Sequence, residues 1–314
     1  MGASNPEALV IFGASGFVGR NMVEAYCDLV PTVIGVTASG NAVPGCDLVV
    51  PVGSLNDIPV LPARTVAVNV AAFRYDAGRQ EMVQNDILAN NVALTNGFFG
   101  FCAQRKIKEA RIASSVAVYP AELDVLDDEV AIDLNRPPFA GETFYAWSKR
   151  WAEQLSQLYK AQYGINTVAF RLSNPYGPHD SVTLTKAHVA PAFVMKALNE
   201  APEFEIRGDP QVTRDFVYVG DVVRAFRETF EWKDRNDFFN LCSGTTTSLQ
   251  TLAESALRIS GNDKPIRSGA PGAFGPNKRV STNDKIRSAM NIEFTSLSEG
   301  LTKTIEWYRD ALAL

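Results

Sequence analysis

Short apolar runs recur along the first half of the chain, each followed by a small residue: Ala8–Phe12, Thr32–Val36, Asp47–Val52, Thr65–Val70, Ala110–Ser114 and Thr167–Leu172. Runs of this length, rich in valine and isoleucine, predict buried strands. Between several of them the apolar positions take helical spacing, over Phe17–Tyr26, Asn85–Lys106 and Thr143–Tyr163. Strands alternating with helices predict an α/β fold, a doubly wound parallel sheet covered on both faces. Beyond residue 172 the alternation gives way to Pro- and Gly-rich connections such as Asn174-Pro-Tyr-Gly-Pro178 and Gly269-Ala-Pro-Gly-Ala-Phe-Gly-Pro276. Residues 1–172 are therefore expected to form the sheet domain. Residues 173–314 are expected to form mainly a smaller lobe, with some segments returning to the sheet and a cleft between the two.

The first strand runs into Gly13-Ala-Ser-Gly16-Phe-Val-Gly19 and then directly into a helix. In that context one glycine permits the tight turn, another lets backbone approach a pyrophosphate, and the last lets helix pack on strand while the helix N-terminus faces the anion. Gly13, Ser15, Gly16, Phe17, Val18 and Gly19 are thus candidate contacts of a dinucleotide, NAD or NADP, and the sheet is expected to be of the Rossmann type. An acidic residue at the end of the second strand would accept from the adenosine ribose, but Val36-Thr37-Ala38-Ser39 offers neither a carboxylate nor an arginine for a 2′-phosphate. Thr37 and Ser39 are the candidates there, and the choice between NAD and NADP stays open. Ala71 and Ala72 close the fourth strand and face the same edge, with Arg74 within reach of either cofactor or substrate.

Tyr145-Ala-Trp-Ser-Lys149 places a phenol and an ammonium on one helix face, one turn apart. A tyrosine titrating near 10 is a poor base at neutral pH, and a neighbouring lysine cation stabilises its phenolate. The same spacing also occurs on ordinary helix faces. What distinguishes this one is Ser114-Ser115 at the end of the preceding strand, where hydroxyls at a carboxyl edge can hold a reacting oxygen.

These motifs, together with Asn90-Asn91-Val92, Arg171-Leu-Ser-Asn174-Pro-Tyr-Gly-Pro178 and Arg214-Asp-Phe-Val-Tyr-Val-Gly-Asp221-Val222, occur in the order of the extended short-chain dehydrogenases/reductases. The chain resembles the nucleotide-sugar epimerase/dehydratase/reductase group of that family nearly end to end. The resemblance implies Ser115, Tyr145 and Lys149 as the catalytic triad, with Tyr145 and Lys149 also at the cofactor beside Asn91 and Ser114. It implies Asn174 and Arg214 at the substrate's phosphates, joined by Arg279, since guanidinium forks suit phosphate oxygens. The alternative for Arg214 is a salt bridge to Asp215 or Asp221. A homodimer through the two long helices is implied as well.

Family dehydratases tend to carry Asp-Glu directly after the catalytic hydroxyl residue, where this chain has Val116-Ala117, so epimerisation or 4-keto reduction is the expected reaction. Val118-Tyr-Pro120, Tyr176-Gly-Pro-His-Asp180 and His188-Val-Ala-Pro191 look closest to the GDP-fucose synthase branch, with His188 at its acid/base position and Val116 where its cysteine would stand; a substrate hydrogen bond and a packed surface ring stay open as alternatives for His188. Gly53-Ser54 departs from the family's frequent Gly-Asp near the adenine. Two other readings stay open: a reductase or dehydrogenase of a carbonyl substrate without a nucleotide, and a catalytically silent nicotinamide-binding sensor.

Composition narrows the partners. With 314 residues the chain can bury a substantial core, and a formal net charge of -5 offers no field for nucleic acid. Cys27, Cys46, Cys102 and Cys242 stand apart and only His179 and His188 accompany them, so neither a metal site nor disulfides are expected. No basic leader opens the sequence and no apolar run approaches the roughly 20 residues of a membrane span, so a cytoplasmic protein without a membrane partner is the expectation.

Overall fold

The computed structural model describes residues 5–73, 84–270 and 279–313. In chain order the elements are β1 (Ala8–Phe12), α1 (Phe17–Tyr26), β2 (Val33–Thr37), β3 (Leu48–Pro51), β4 (Thr65–Asn69), α2 (Gln84–Gln104), β5 (Glu109–Ser115), β6 (Val125–Leu126), α3 (Thr143–Tyr163) and β7 (Asn166–Leu172). There follow β8 (Asn174–Tyr176), α4 (Val189–Leu198), β9 (Phe204–Arg207), β10 (Thr213–Tyr218), α5 (Val219–Glu228), β11 (Asp237–Leu241) and β12 (Thr246–Ser248). The last are α6 (Leu249–Ser260), β13 (Ile266–Ala270), β14 (Val280–Ser281), α7 (Asp284–Met290) and α8 (Leu297–Leu312).

Seven strands pair in the order β11-β7-β5-β4-β1-β2-β3, and each neighbouring pair is parallel. This is the Rossmann-type, doubly wound sheet that the alternation predicts. Along β1 successive side chains leave opposite faces, as a pleated strand requires. Leu9 and Ile11 join Met22 and Val23 of α1 and Val222 and Phe226 of α5 in one core. Val10 and Phe12 join Phe98, Phe99 and Cys102 of α2 and Leu155 of α3 in the other. Because both faces are covered, the strands read as continuous apolar runs rather than alternating ones.

A third core sits apart from the sheet, where Val194 of α4, Leu252 of α6, and Leu301 and Ile305 of α8 pack with Phe204, Ile206 and Phe216. The chain also returns to the sheet late: β11 pairs with β7, from Asp237 opposite Val168 to Leu241 opposite Leu172. Small sheets join the rest: β8 lies between Asn174 and Tyr176 parallel to β10, and β10 pairs antiparallel with β12. Among the described residues no helix is long and apolar enough to cross a membrane, and no His/Cys/Asp/Glu group has the arrangement of a metal site.

Candidate active site

The strand order reverses at β1, whose neighbours β4 and β2 are reached by connections on opposite faces, and this opens a crevice at the carboxyl ends of the strands. Gly13 lines it with φ +87°, and a Cβ there would lie 2.7 Å from the backbone of Ala71. A Cβ on Gly19 would lie 2.0 Å from the Gly13 carbonyl oxygen, so α1 can approach the turn this closely only with glycine at that position. Gly16 caps α1 without a side chain, which leaves the first-turn N–H groups facing the crevice, and Ser15 beside it is exposed. Phe17 and Val18 bury their side chains in the core, so what they offer a ligand is backbone. A cradle that excludes a Cβ at Gly13 and Gly19 and ends in open amides fits a dinucleotide pyrophosphate.

The other strand ends are ordered by their own polar side chains. Thr37 Oγ1 accepts from Gly40 N at 2.9 Å and Ser39 Oγ from Asn41 N at 3.3 Å, shaping the turn after β2. Ala71 N donates to Asn69 Oδ1 at 3.1 Å, with Ala72 next in line. Asn91, buried in α2, accepts from Phe73 N at 2.8 Å and donates to Phe73 O at 3.3 Å and Ile87 O at 2.9 Å. Its amide is therefore spent on holding the segment after β4. Arg74 lies outside the described residues.

Ser115 ends β5, and its Oγ accepts from Ala117 N at 3.1 Å as the strand turns. Beside that edge, α3 carries Tyr145 in its first turn and Lys149 one turn on. The Lys149 ammonium donates to Ala113 O at 2.8 Å and stands 5.7 Å from the centroid of the Tyr145 ring. Lysine and serine are buried while the tyrosine keeps partial exposure. The arrangement places a cation next to a phenol whose hydroxyl can reach a ligand.

Behind the triad runs a buried polar network that the sequence reading misses. Ser114 Oγ donates to Glu153 Oε1 at 2.6 Å, and Arg171 binds the same carboxylate through Nε at 2.9 Å and Nη2 at 2.8 Å. Arg171 Nη1 also donates to the Tyr119 hydroxyl at 2.9 Å, and that hydroxyl donates to Asn240 Oδ1 at 2.8 Å. Burial pushes the Tyr119 phenol up to about 12, against the pull of Arg171, so it remains a neutral link. The Ser114 hydroxyl proton is thus committed to Glu153, which leaves its oxygen lone pairs and its backbone for other partners. Arg171 inside the apolar run of β7 was the available signal, because a charge in a buried strand requires a partner.

On the other side of the cleft, Asn174 Nδ2 donates to Asp215 O at 2.9 Å, and Arg214 Nη1 to Thr213 O at 2.8 Å. Asp215 accepts from Ser243 N and Gly244 N, and Asp221 pairs with Arg224 at 2.7 Å, so both acids postulated as partners of Arg214 are engaged elsewhere. Arg279 Nη2 donates to Pro120 O at 3.3 Å and Ala121 O at 3.1 Å. Burial lowers the affinity of both guanidiniums for their protons, Arg214 lowers it further at Arg279, and the carboxylate of Glu142 counteracts the shift in both. Glu142, three residues before Tyr145, also escaped the sequence reading. His188 precedes α4 at its cap position and is exposed.

The model of the NAD dependent epimerase/dehydratase family matches residues 9–242. The chain belongs to this family. It is accordingly an NAD(P)-dependent enzyme of the extended short-chain dehydrogenase/reductase type. Among curated members, a dTDP-4-dehydro-6-deoxy-D-allose reductase of Streptomyces sp is 27% identical over 79% of this chain and 75% of its own length. The GDP-L-fucose synthase of Dictyostelium discoideum is 24% identical over 72% of each chain. The UDP-glucose 4-epimerase of Thermotoga maritima, solved with UDP-glucose, shares the fold with a TM-score of 0.83 at 22% identity, covering 97% of this chain and 99% of that one.

Proposed function

We infer that this family member is a nucleotide-sugar epimerase or 4-keto reductase whose chemistry is carried by Ser115, Tyr145 and Lys149. The observation that carries the reading is the Lys149 ammonium fixed between Ala113 O and the Tyr145 ring, at the edge where Ser115 ends β5. A nicotinamide dinucleotide, bound at Gly13, Gly16 and Gly19, supplies the hydride acceptor or donor. Tyr145 Oη exchanges a proton with the sugar's hydroxyl or carbonyl oxygen, Lys149 stabilises the phenolate, and Ser115 Oγ holds the same oxygen by a hydrogen bond. Lys149, 8% exposed, acts where solvent screening is weak.

Asn174, Arg214 and Arg279 hold the diphosphate of the substrate in this reading. The support is that burial opposes the charge of both guanidiniums and Arg214 adds to this at Arg279, a situation that an anionic ligand compensates. His188, at the exposed start of α4, is the second acid/base if epimerisation precedes reduction. A second copy of the chain docks on α2 and α3, whose outer side carries Phe144, Trp147 and Trp151 in the open.

The test is a thermal-shift series with NAD, NADPH, UDP-glucose, GDP-mannose and dTDP-glucose, since a ligand of the native state raises the midpoint. A shift by at least one nucleotide-sugar, abolished in Arg214→Ala, is expected. Indifference to all nucleotide-sugars in the presence of a bound dinucleotide would favour the carbonyl substrate without a nucleotide.

A further inference from the structure

Asn240 lies fully buried in β11, at the edge of the seven-stranded sheet, with apolar Phe239 and Leu241 on either side in sequence. An amide in such a place costs more than an aliphatic side chain unless its hydrogen bonds are made, so the strand by itself does not account for it. Its side-chain partners all lie outside the ladder. Oδ1 accepts from the Tyr119 hydroxyl at 2.8 Å, and Nδ2 donates to Leu126 O of β6 at 2.8 Å and to Thr282 O just after β14 at 3.2 Å. These contacts bracket Arg279. On one side, Tyr119 is followed by Pro120 and Ala121, whose carbonyl oxygens accept from Arg279 Nη2 at 3.3 and 3.1 Å. On the other, β14 begins at the next residue, Val280, and is tied to β6 by Val280 N to Asp124 O at 2.9 Å and Thr282 N to Leu126 O at 3.0 Å. Arg279 itself is half-buried, and its Nε has no hydrogen-bond partner among the described residues, a donor that a phosphate oxygen would satisfy.

We propose that Asn240 is a positioning residue of the substrate site: together with Tyr119 it fixes the two segments that hold Arg279, and so keeps that guanidinium set for the substrate's diphosphate. This rests on the reading of Arg279 as a diphosphate ligand. An arginine loses several free rotations when it is fixed on a phosphate, and one already held on two carbonyls has lost part of them beforehand. Asn240 keeps those carbonyls in place. The Tyr119 hydroxyl is anchored both by Asn240 and by Arg171 Nη1 at 2.9 Å, and Arg171, which stands opposite Asn240 in the β11–β7 ladder, is itself bound to Glu153. The segment is held a second time by Ala121 N to Pro137 O at 2.9 Å, so the hydroxyl fixes one side of it and Pro137 the other. Asn240 touches no ligand in this arrangement and acts through Arg279.

The experiment is a double-mutant cycle in equilibrium binding. Full-length wild type, N240A, R279A and the double variant are titrated calorimetrically with UDP-glucose, GDP-mannose and dTDP-glucose, and separately with NAD and NADPH. Tyr119→Phe, alone and with R279A, runs alongside, because it removes only the hydroxyl and keeps the ring in place; N240A decides if it folds, and Y119F decides if it does not. For whichever nucleotide-sugar the wild type binds, the deciding variant is expected to weaken binding about twofold to tenfold, the cost of ordering one long side chain on binding. R279A weakens it by about tenfold or more, and in that background the second substitution weakens it no further. Dinucleotide affinity is unchanged throughout, which a general loosening of the fold would not allow. Wild-type affinity in the deciding variant, an equal loss with and without Arg279, or a parallel loss of dinucleotide affinity would overturn the proposal and leave the diphosphate reading standing. Binding unaffected by R279A, or no binding of any of the three nucleotide-sugars to the wild type, would remove that reading and the proposal with it.

Discussion

In the proposed reaction Tyr145 is the residue on which the chemistry turns, because of Ser115, Tyr145 and Lys149 only the phenol, with Lys149 beside it, can pass a proton at moderate cost. Tyr145→Phe removes the proton path and keeps the ring over which Lys149 sits. The expected outcome is a loss of about 10²–10⁴-fold in kcat with substrate affinity nearly unchanged, read from steady-state rates against calorimetric Kd. Lys149→Met leaves the phenol with its ordinary affinity for the proton, so the rising limb of the kcat profile moves to higher pH, measured over pH 6 to 10. Both residues were singled out by their spacing together with Ser114-Ser115 at the strand end, since the spacing alone also occurs on ordinary helix faces. Glu142 was not: a charge before a helix reads as a solvated end, and only its electrostatic influence on Arg214 and Arg279 marks it otherwise.

At the scale of elements, the helices Phe17–Tyr26 and Thr143–Tyr163 stand where the apolar spacing puts them, because each buries one stripe against the sheet. The strand expected over Asp47–Val52 stops at Pro51, since Val52 already enters a short 3₁₀ turn and leaves the ladder. The glycine turn was legible as a motif, but its tightness was not: Gly19→Val would drive Cβ into the Gly13 carbonyl, and the chain is expected either to misfold or to lose dinucleotide binding, as followed by circular dichroism and cofactor fluorescence. The Glu153–Arg171 pair ties α3 to β7 and, through Ser114, to β5. Removing one partner leaves a buried charge, so Glu153→Ala should lower unfolding stability by about 3–5 kcal/mol in urea titrations, with E153Q costing less. Such pairing across two elements cannot be read from either one; only the lone arginine in an apolar strand hints at it.

For the whole molecule, the parallel sheet was legible from alternation, whereas the return of Asp237–Leu241 to pair with β7 was not, because nothing in a five-residue strand names its neighbour. That return closes the sheet beside the strand leading to Asn174 and so sets the two sides of the cleft against each other. The outward row of Phe144, Trp147, Trp151 and Leu158 on α3 is too apolar for solvent. Sedimentation should give twice the chain mass, and Trp147→Glu with Trp151→Glu should give a single chain mass. In the proposed reaction a nucleotide-sugar changes at a carbon next to Tyr145. The most direct measurement supplies the purified protein with a 4-keto nucleotide-sugar and reduced nicotinamide carrying deuterium at the transferable position, and reads the product by mass spectrometry and NMR. Deuterium on the former carbonyl carbon, absent in Tyr145→Phe, is the predicted result; a substrate left unlabelled by a dinucleotide-loaded, folded protein, across UDP, GDP and dTDP sugars, would contradict it.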